Sequence, residues 1–167
     1  DSFLKNLNFV IMAGGKGSRL EPYTKVLPKP LLPINDKPVI QHIIERFLNF
    51  GAKNFYISVN YKSLLLKSFF NELKNSYKIK FLEEHQPLGT VGGLSLHKKK
   101  LKKNDLFLCN CDILIDIDFS EMYNFHLDNN NDITVVASTK NYEIPYGICH
   151  LKKKGKLKKI EEKPKSK

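Results

Sequence analysis

Asn8-Phe9-Val10-Ile11-Met12-Ala13-Gly14-Gly15-Lys16-Gly17-Ser18-Arg19-Leu20 is the stretch from which the fold can be read. Residues 8–12 form a short apolar run bounded by glycines, which reads as a buried strand. Three glycines among the four residues 14–17, Gly14, Gly15 and Gly17, let the main chain approach a ligand closely. Several N–H groups turned inward make a nest that suits phosphate oxygens. The spacing is neither G-x-G-x-x-G nor G-x-x-x-x-G-K-[ST], so the dinucleotide fingerprint and the P-loop are both excluded. A mere tight turn would not need Arg19 directly after the glycines, nor Lys29 held between Pro28 and Pro30. The Arg fork matches phosphate oxygens, and charge-assisted bonds of this kind contribute about 1.5–3 kcal/mol each. The flanking prolines fix the backbone of Lys29, so its ammonium is presented to the same site. On residue chemistry alone the segment points to polyphosphate binding.

Working outward, residues 13–35 are rich in Gly and Pro and are expected to be an ordered loop. Ile40, Ile43, Ile44, Phe47 and Leu48 then recur at helical spacing, with Pro38 near the first turn and Gly51 past the end. Phe55-Tyr56-Ile57-Ser58-Val59 reads as a strand; Leu64, Leu65, Phe69 and Leu73 mark a helix; Ile79-Lys80-Phe81-Leu82 is a third strand. A Gly-rich turn over 87–93 is expected to lead into a helix through Leu101. Strands follow at Leu106-Phe107-Leu108-Cys109 and Ile133-Thr134-Val135-Val136, with a helix over 119–127 between them. The aromatic pairs at Phe47 and Phe50, and at Phe69 and Phe70, read as core. This alternation predicts βαβ units around a parallel sheet, with right-handed crossovers and ligands at the carboxyl ends of the strands. The loops after Met12, Leu82 and Cys109 should therefore meet at one edge. No internal repeat or linker is visible, so 1–167 is expected to be a single domain.

The composition is that of an ordinary globular protein: 167 residues, 41% hydrophobic and 11% aromatic. No run of 18 apolar residues exists, so no membrane association is expected. The first residues do not read as a secretory signal, and the lack of an initiating Met is expected of a chain cut from something longer. Cys109, Cys111 and Cys149 are odd in number, and Cys-Asn-Cys lacks the second ligand pair of a zinc site. Reduced thiols in a cytoplasm are the better reading. The net charge of +11 is unevenly spread: nine Lys and two Glu over 151–167 give +7, leaving +4 for everything before. A second cluster comprises Lys98, Lys99, Lys100, Lys102 and Lys103. Both clusters lack Arg and interleaved aromatics, which base readout usually requires, so no nucleic-acid partner is expected.

The stretch from Met12 through Arg19-Leu20-Glu21-Pro22-Tyr23-Thr24 to Pro28-Lys29-Pro30-Leu31-Leu32-Pro33 resembles the signature of the sugar-1-phosphate nucleotidyltransferase family. The likeness runs on through Pro87-Leu88-Gly89-Thr90-Val91-Gly92-Gly93, similar to the family's base-side loop, and Asn110-Cys111-Asp112, similar to its metal-binding Asn-Gly-Asp. Tyr146-Gly147 and Glu161-Glu162-Lys163-Pro164 resemble its sugar-side segments, and Ile144-Pro145-Tyr146-Gly147 looks like the guanylyltransferase branch. The resemblance implies a Rossmann-like three-layer α/β/α sandwich with a mainly parallel central sheet. It implies transfer of a nucleoside monophosphate from a nucleoside triphosphate to a sugar 1-phosphate, releasing pyrophosphate.

By matching positions, Ala13, Gly14, Gly15, Gly17 and Ser18 would cradle the triphosphate, and Gly89 and Thr90 would lie on the base side. Arg19 would hold the departing phosphates and Lys29 the α-phosphoryl group. Lys163 would bind the sugar phosphate, while Glu162 and the Gly147 amide orient sugar hydroxyls. Asp112 would bind Mg²⁺, which takes one or two carboxylates with phosphate oxygens and water; alone, Asp112 after an apolar strand reads only as a polar cap. Cys111 replaces the usual Gly and is expected to crowd the nucleotide. The second metal-binding Asp is expected beyond Lys167, so the chain should lack the C-terminal part of the family fold. A cytoplasmic, homo-oligomeric enzyme is the resulting expectation.

Glu84 stands five residues before Gly89, where the family places a base-reading side chain. Guanine offers N1–H and an N2 amino group, which an acceptor-only carboxylate takes together, whereas thymine and uracil suit an amide. GTP is favoured, with a thymidylyl- or uridylyltransferase as the alternative because Gln86 lies close by. Read in isolation, Glu83-Glu84 is a solvated acidic pair. His85 is the one histidine near a motif, and none of the five is assigned a catalytic role. A non-catalytic nucleotide-sensing subunit would be expected to lose Arg19 and Lys29, and a cytidylyltransferase acting on alcohol phosphates to lack Glu162-Lys163; all four are present.

Overall fold

The strand β1 (Asn8–Met12) is buried over its first four residues in a computed structural model describing residues 3–73, 76–84, 89–101, 105–139, 142–143, 146–162 and 165–166. After it come a 3-10 turn (Ser18–Leu20), the one-turn helix α1 (Tyr23–Val26) and a second 3-10 turn (Lys29–Leu31). The short strands β2 (Pro33–Ile34) and β3 (Lys37–Pro38) pair antiparallel and deliver the chain into α2 (Val39–Asn49). Then follow β4 (Asn54–Val59), α3 (Ser63–Glu72), β5 (Lys78–Glu83), α4 (Gly89–Ser95), β6 (Leu106–Asn110) and α5 (Phe119–Asp128). Further strands are β7 (Tyr142–Glu143), β8 (Ile148–Leu151), β9 (Leu157–Glu161) and β10 (Lys165–Ser166).

The order β5-β4-β1-β6 makes a four-stranded, wholly parallel sheet. Both of its faces are covered, as the apolar runs require. Phe9 and Ile11 point to one face with Phe55, Ile57 and Val59, where Ile40, Ile44 and Phe47 of α2 meet Leu66, Phe70 and Phe119. Val10, Tyr56 and Leu82 point to the other face, packed with Leu94 and Leu101. Phe9 anchors the larger layer: its ring stacks on Phe107 at 5.0 Å and tilts against Phe47 at 4.8 Å. Each such buried side chain stabilises by about 1.5–3 kcal/mol relative to exposure. The three-layer α/β/α arrangement inferred above is therefore observed, and Phe47 and Phe70 are core.

Two expectations are corrected. The 87–93 turn is not followed by a helix; α4 begins on Gly89 itself and ends at Ser95, short of Leu101. The glycines that read as a breaker are inside the helix because Gly93 is approached too closely for any side chain. No strand forms at 133–136: Ile133 and Val135 are 79% and 76% exposed. β-branched content favours a strand only where a neighbouring ladder and a covered face exist.

The chain divides into two compact units, Asp1–Phe125 and His126–Lys167. In the second, β8 pairs antiparallel with β9 and β7 with β10. No helix among the described residues is long and apolar enough to cross a membrane.

All three cysteines are free thiols, but only Cys149 is exposed. Burial, with a smaller contribution from Cys111, pushes the Cys109 thiol up to about 12; burial and then the Asp112 charge push Cys111 up to about 11. Both ionise more readily in the unfolded chain, so their contribution to stability is fully present below the ordinary thiol value and is lost as pH rises from there through about 11 and 12. A disulfide exchange reagent at pH 8 should titrate Cys149 rapidly and the other two only after denaturation. Three equally fast thiols would contradict the burial described.

Candidate functional site

The parallel register sets Met12 level with Ser58 on one side and Asn110 on the other, and Ser58 level with Leu82. Four strands thus release their loops at one carboxyl edge. The ladder carries one step further into two of those loops: the Ala13 amide donates to the Ser58 carbonyl at 2.9 Å, and the Cys111 amide to the Met12 carbonyl at 3.2 Å. The glycine loop therefore leaves the sheet in a fixed direction.

Its shape is set by Gly17, whose φ of 68° is left-handed. The buried Thr24 folds back over it, donating from Oγ1 to the Gly17 carbonyl at 2.9 Å. A Cβ on Gly17 would lie 2.8 Å from the Thr24 methyl and 3.3 Å from Lys29 Cβ. Gly15, by contrast, is exposed with nothing within 4 Å of where a Cβ would stand. That is open room on the ligand side. Ser18 and Arg19 sit on the exposed 3-10 turn directly after Gly17.

Lys29 opens the second 3-10 turn, capped by Pro28 in an extended conformation. Its Nζ lies 2.5 Å from Asp112 Oδ2, and both side chains are partly exposed. Lys29 and Asp112 are therefore neighbours across the edge, although 83 positions apart in sequence (112 − 29). Among the described residues no three His, Cys, Asp or Glu side chains are grouped as a metal cage. Asp112 is thus a carboxylate outside any such group. Cys111 does not crowd this space; it is buried in the aromatic core layer.

Glu84 directly follows β5 and is buried rather than solvated. Its Oε1 accepts from the Ser58 hydroxyl, and its main-chain carbonyl accepts from Asn60 Nδ2 at 2.6 Å. A Cβ on Gly93 would lie 2.1 Å from Glu84 Oε1, so only glycine lets α4 close over this carboxylate. Gly89 begins that helix. The side chain of Thr90, and His85 and Gln86 entirely, lie outside the described residues.

In the second unit the β8–β9 register pairs Ile148 with Glu161 and so sets Gly147 beside Glu162. A Cβ on Gly147 would be 2.8 Å from Glu162 Oε2. These two expected sugar-side groups are adjacent, while Lys163 lies outside the described residues.

Sequence reasoning missed Ser58, Asn60 and Lys62. Ser58 was detectable as the polar residue inside an otherwise apolar strand core. A cavity of about 300 Å³ elsewhere, between α2 and residues 113–116, is lined by Ile43, Phe47 and Phe119, and its Arg46 is already paired with Asp116.

These features define a class: a doubly covered parallel sheet with a left-handed glycine loop and a Lys–carboxylate pair at its carboxyl edge. The model of the family described as nucleotidyl transferase matches residues 8–167, and the chain belongs to that family. It is similar to a mannose-1-phosphate guanyltransferase of Yarrowia lipolytica, 36% identical over 160 residues, covering 93% of this chain and 44% of that protein. One from Debaryomyces hansenii is 36% identical over 143 residues, covering 83% and 40%. The chain thus spans less than half the length of these curated relatives. Among solved structures, HddC from Yersinia pseudotuberculosis superposes with a TM-score of 0.69 at 26% identity, covering 94% of this chain and 69% of that one. A UDP-glucose pyrophosphorylase complexed with UDP-glucose, at 21% identity and a TM-score of 0.63, shares the fold over 95% of this chain and 69% of that one.

The Gly17→Ala substitution should destabilise the protein by roughly 1–3 kcal/mol in a denaturant melt, from the left-handed backbone and the contact with Thr24. Gly15→Ala should leave the melt unchanged. Equal effects would mean that the loop is not built around Gly17.

Proposed function

We propose that the protein transfers a nucleoside monophosphate, with GTP as the favoured donor, to a sugar 1-phosphate, giving a nucleotide sugar and pyrophosphate. The observation that carries this reading is the Lys29–Asp112 pair at 2.5 Å beside the glycine loop. The guanyltransferase relatives support the class of donor and acceptor. Both compact units are read as parts of one nucleotidyltransferase domain, and the free thiols support a reducing, cytoplasmic setting.

In the proposed reaction an oxygen of the sugar phosphate forms a bond to the α-phosphorus, and the bond from that phosphorus to the bridging β-oxygen breaks in line. The electron pair leaves with pyrophosphate. Negative charge spreads over the transferring group, so positioning and neutralisation carry the rate. Amides of Ala13, Gly14, Gly15, Gly17 and Ser18 would receive the triphosphate. Arg19, exposed on its turn, would grip the leaving phosphates bidentately. Lys29 would exchange its carboxylate partner for the α-phosphoryl oxygens.

Asp112 fits Mg²⁺, since one carboxylate with phosphate oxygens and water is that ion's usual set. Bound there, the ion would neutralise phosphate charge; Asp112 would hold it while Lys29 is released. Gly147 and Glu162 would orient sugar hydroxyls, and Lys163 would meet the sugar phosphate. Glu84, with Gly89 and Thr90 beside it, would read guanine. Ser58 occupies one of its oxygens and fixes the carboxylate plane.

A pyrophosphate-release screen of the full-length protein, crossing four nucleoside triphosphates with a panel of sugar 1-phosphates, should give the highest kcat/KM with GTP. The Arg19→Ala variant should stay folded and lose at least about a hundredfold in turnover. Absence of release with every pair would sink the transferase reading. The Glu84→Gln variant keeps the contact with Ser58 but loses the double acceptor. Its preference should move from GTP toward pyrimidine nucleotides, and an unaltered nucleotide profile would remove Glu84 from base reading.

A further inference from the structure

Residues 60–62, just past β4, meet Glu84, Gly14 and the end of α1, and none of the expected roles includes them. Asn60 Nδ2 donates to the Glu84 carbonyl at 2.6 Å. A Cβ on Gly14 would stand 3.4 Å from Asn60 Cβ, so the glycine loop lies directly on this residue. Two residues on, Lys62 Nζ donates to the carbonyls of Lys25 at 2.5 Å and Val26 at 2.9 Å. Those are the last two residues of α1, where carbonyls have no helical partner and the helix end is negative.

Lys62 precedes α3 in a left-handed conformation and makes no side-chain capping bond. Ser, Thr, Asp or Asn would serve the helix better there. The reason for a lysine is thus found across the site, in α1. From α1 the connection continues inward: Thr24 holds the Gly17 carbonyl, and Thr24 and Lys29 together close against the Gly17 α-carbon. A cation anchored 33 positions further along the chain (62 − 29) fixes the arm that presents Lys29.

Resting on the transferase reading above, we propose that Lys62 is a positioning residue that holds the phosphate loop and Lys29 in the shape that receives the triphosphate. Its ammonium is committed to two carbonyls and acts through α1, not on the substrate. Asn60 does the corresponding work for Glu84, holding its main chain while Ser58 holds its carboxylate. Triphosphate grip and base reading are therefore tied to one segment but through different atoms.

The test compares Lys62→Met, Lys62→Gln and Lys62→Arg in the full-length protein, measuring binding of fluorescent mant-GTP, KM for each substrate, kcat and the denaturant midpoint. Loss of one charge-assisted pair of bonds should weaken mant-GTP binding and raise KM for the nucleotide by about tenfold in Lys62→Met. KM for the sugar 1-phosphate, the GTP preference and the unfolding midpoint should stay at wild-type values. Lys62→Arg should recover most of the loss, and Lys62→Gln, which keeps a donor without charge, should fall between. The proposal is overturned if Lys62→Met and Lys62→Gln match wild type. It is equally overturned if both KM values rise together with a lowered midpoint, or if Lys62→Arg is no better than Lys62→Met. A wild-type protein that neither binds mant-GTP nor releases pyrophosphate would fail the transferase reading itself, and the role of Lys62 would fall with it.

Discussion

The flush register of β1 between β4 and β6 is the constraint on which the rest depends. Because Met12, Ser58 and Asn110 end level, the chain leaves three strands within one ladder spacing, and the amides of Ala13 and Cys111 are still paired as it does so. Parallel strands need long crossovers, and the helices that supply them cover both faces of the sheet. The carboxyl edge is thereby left as the place where unpaired backbone amides and polar side chains can gather. A one-residue slip of β1 would turn Phe9 out of the aromatic layer and shift the glycine loop away from Asp112 together. Core and site are locked by the same pairing.

The second consequence is economy of contacts at that edge. Ser58 serves both sides of the site: its carbonyl receives the start of the glycine loop and its hydroxyl holds Glu84. Gly17 and Gly93 are the two positions where a side chain is excluded, one by Thr24 and one by Glu84. In each case the missing Cβ admits a polar group that fixes the loop. Local rigidity around the ligand position thus comes from backbone proximity as much as from ion pairs. Of the ion pairs, Lys29–Asp112 joins two groups that separate ligands could later claim.

Much of this was legible in the sequence. The apolar runs at 8–12, 55–59, 79–82 and 106–109 all became strands of the parallel sheet, because each has neighbours on both sides or a covered face. The phosphate loop was readable because glycines, Arg19 and proline-flanked Lys29 lie close in the chain. Its internal bracing was not, since Thr24 and Lys62 are ordinary residues whose value comes from distant partners. The run at 133–136 misled for the opposite reason: its β-branched residues carry propensity, but propensity supplies neither a ladder nor a cover. The glycines of 89–93 misled because a breaker by composition is tolerated in a helix when a neighbour needs the space.

Lys29 illustrates how far local and distant chemistry diverge. Its prolines explain why its backbone is stiff, yet they say nothing about where its ammonium points. The ammonium is turned to Asp112, while α1 beside it is tied through Thr24 to Gly17 and through its last carbonyls to Lys62. In the proposed reaction a segment stiffened in this way would lose little entropy on meeting phosphate, so more of the Coulomb attraction would remain as binding. The carboxylate of Asp112 keeps the ammonium compensated until then, which avoids leaving a partly desolvated cation unpaired. In the proposed reaction the pair is a charge held in register, to be divided between a phosphate and a cation of the incoming ligand.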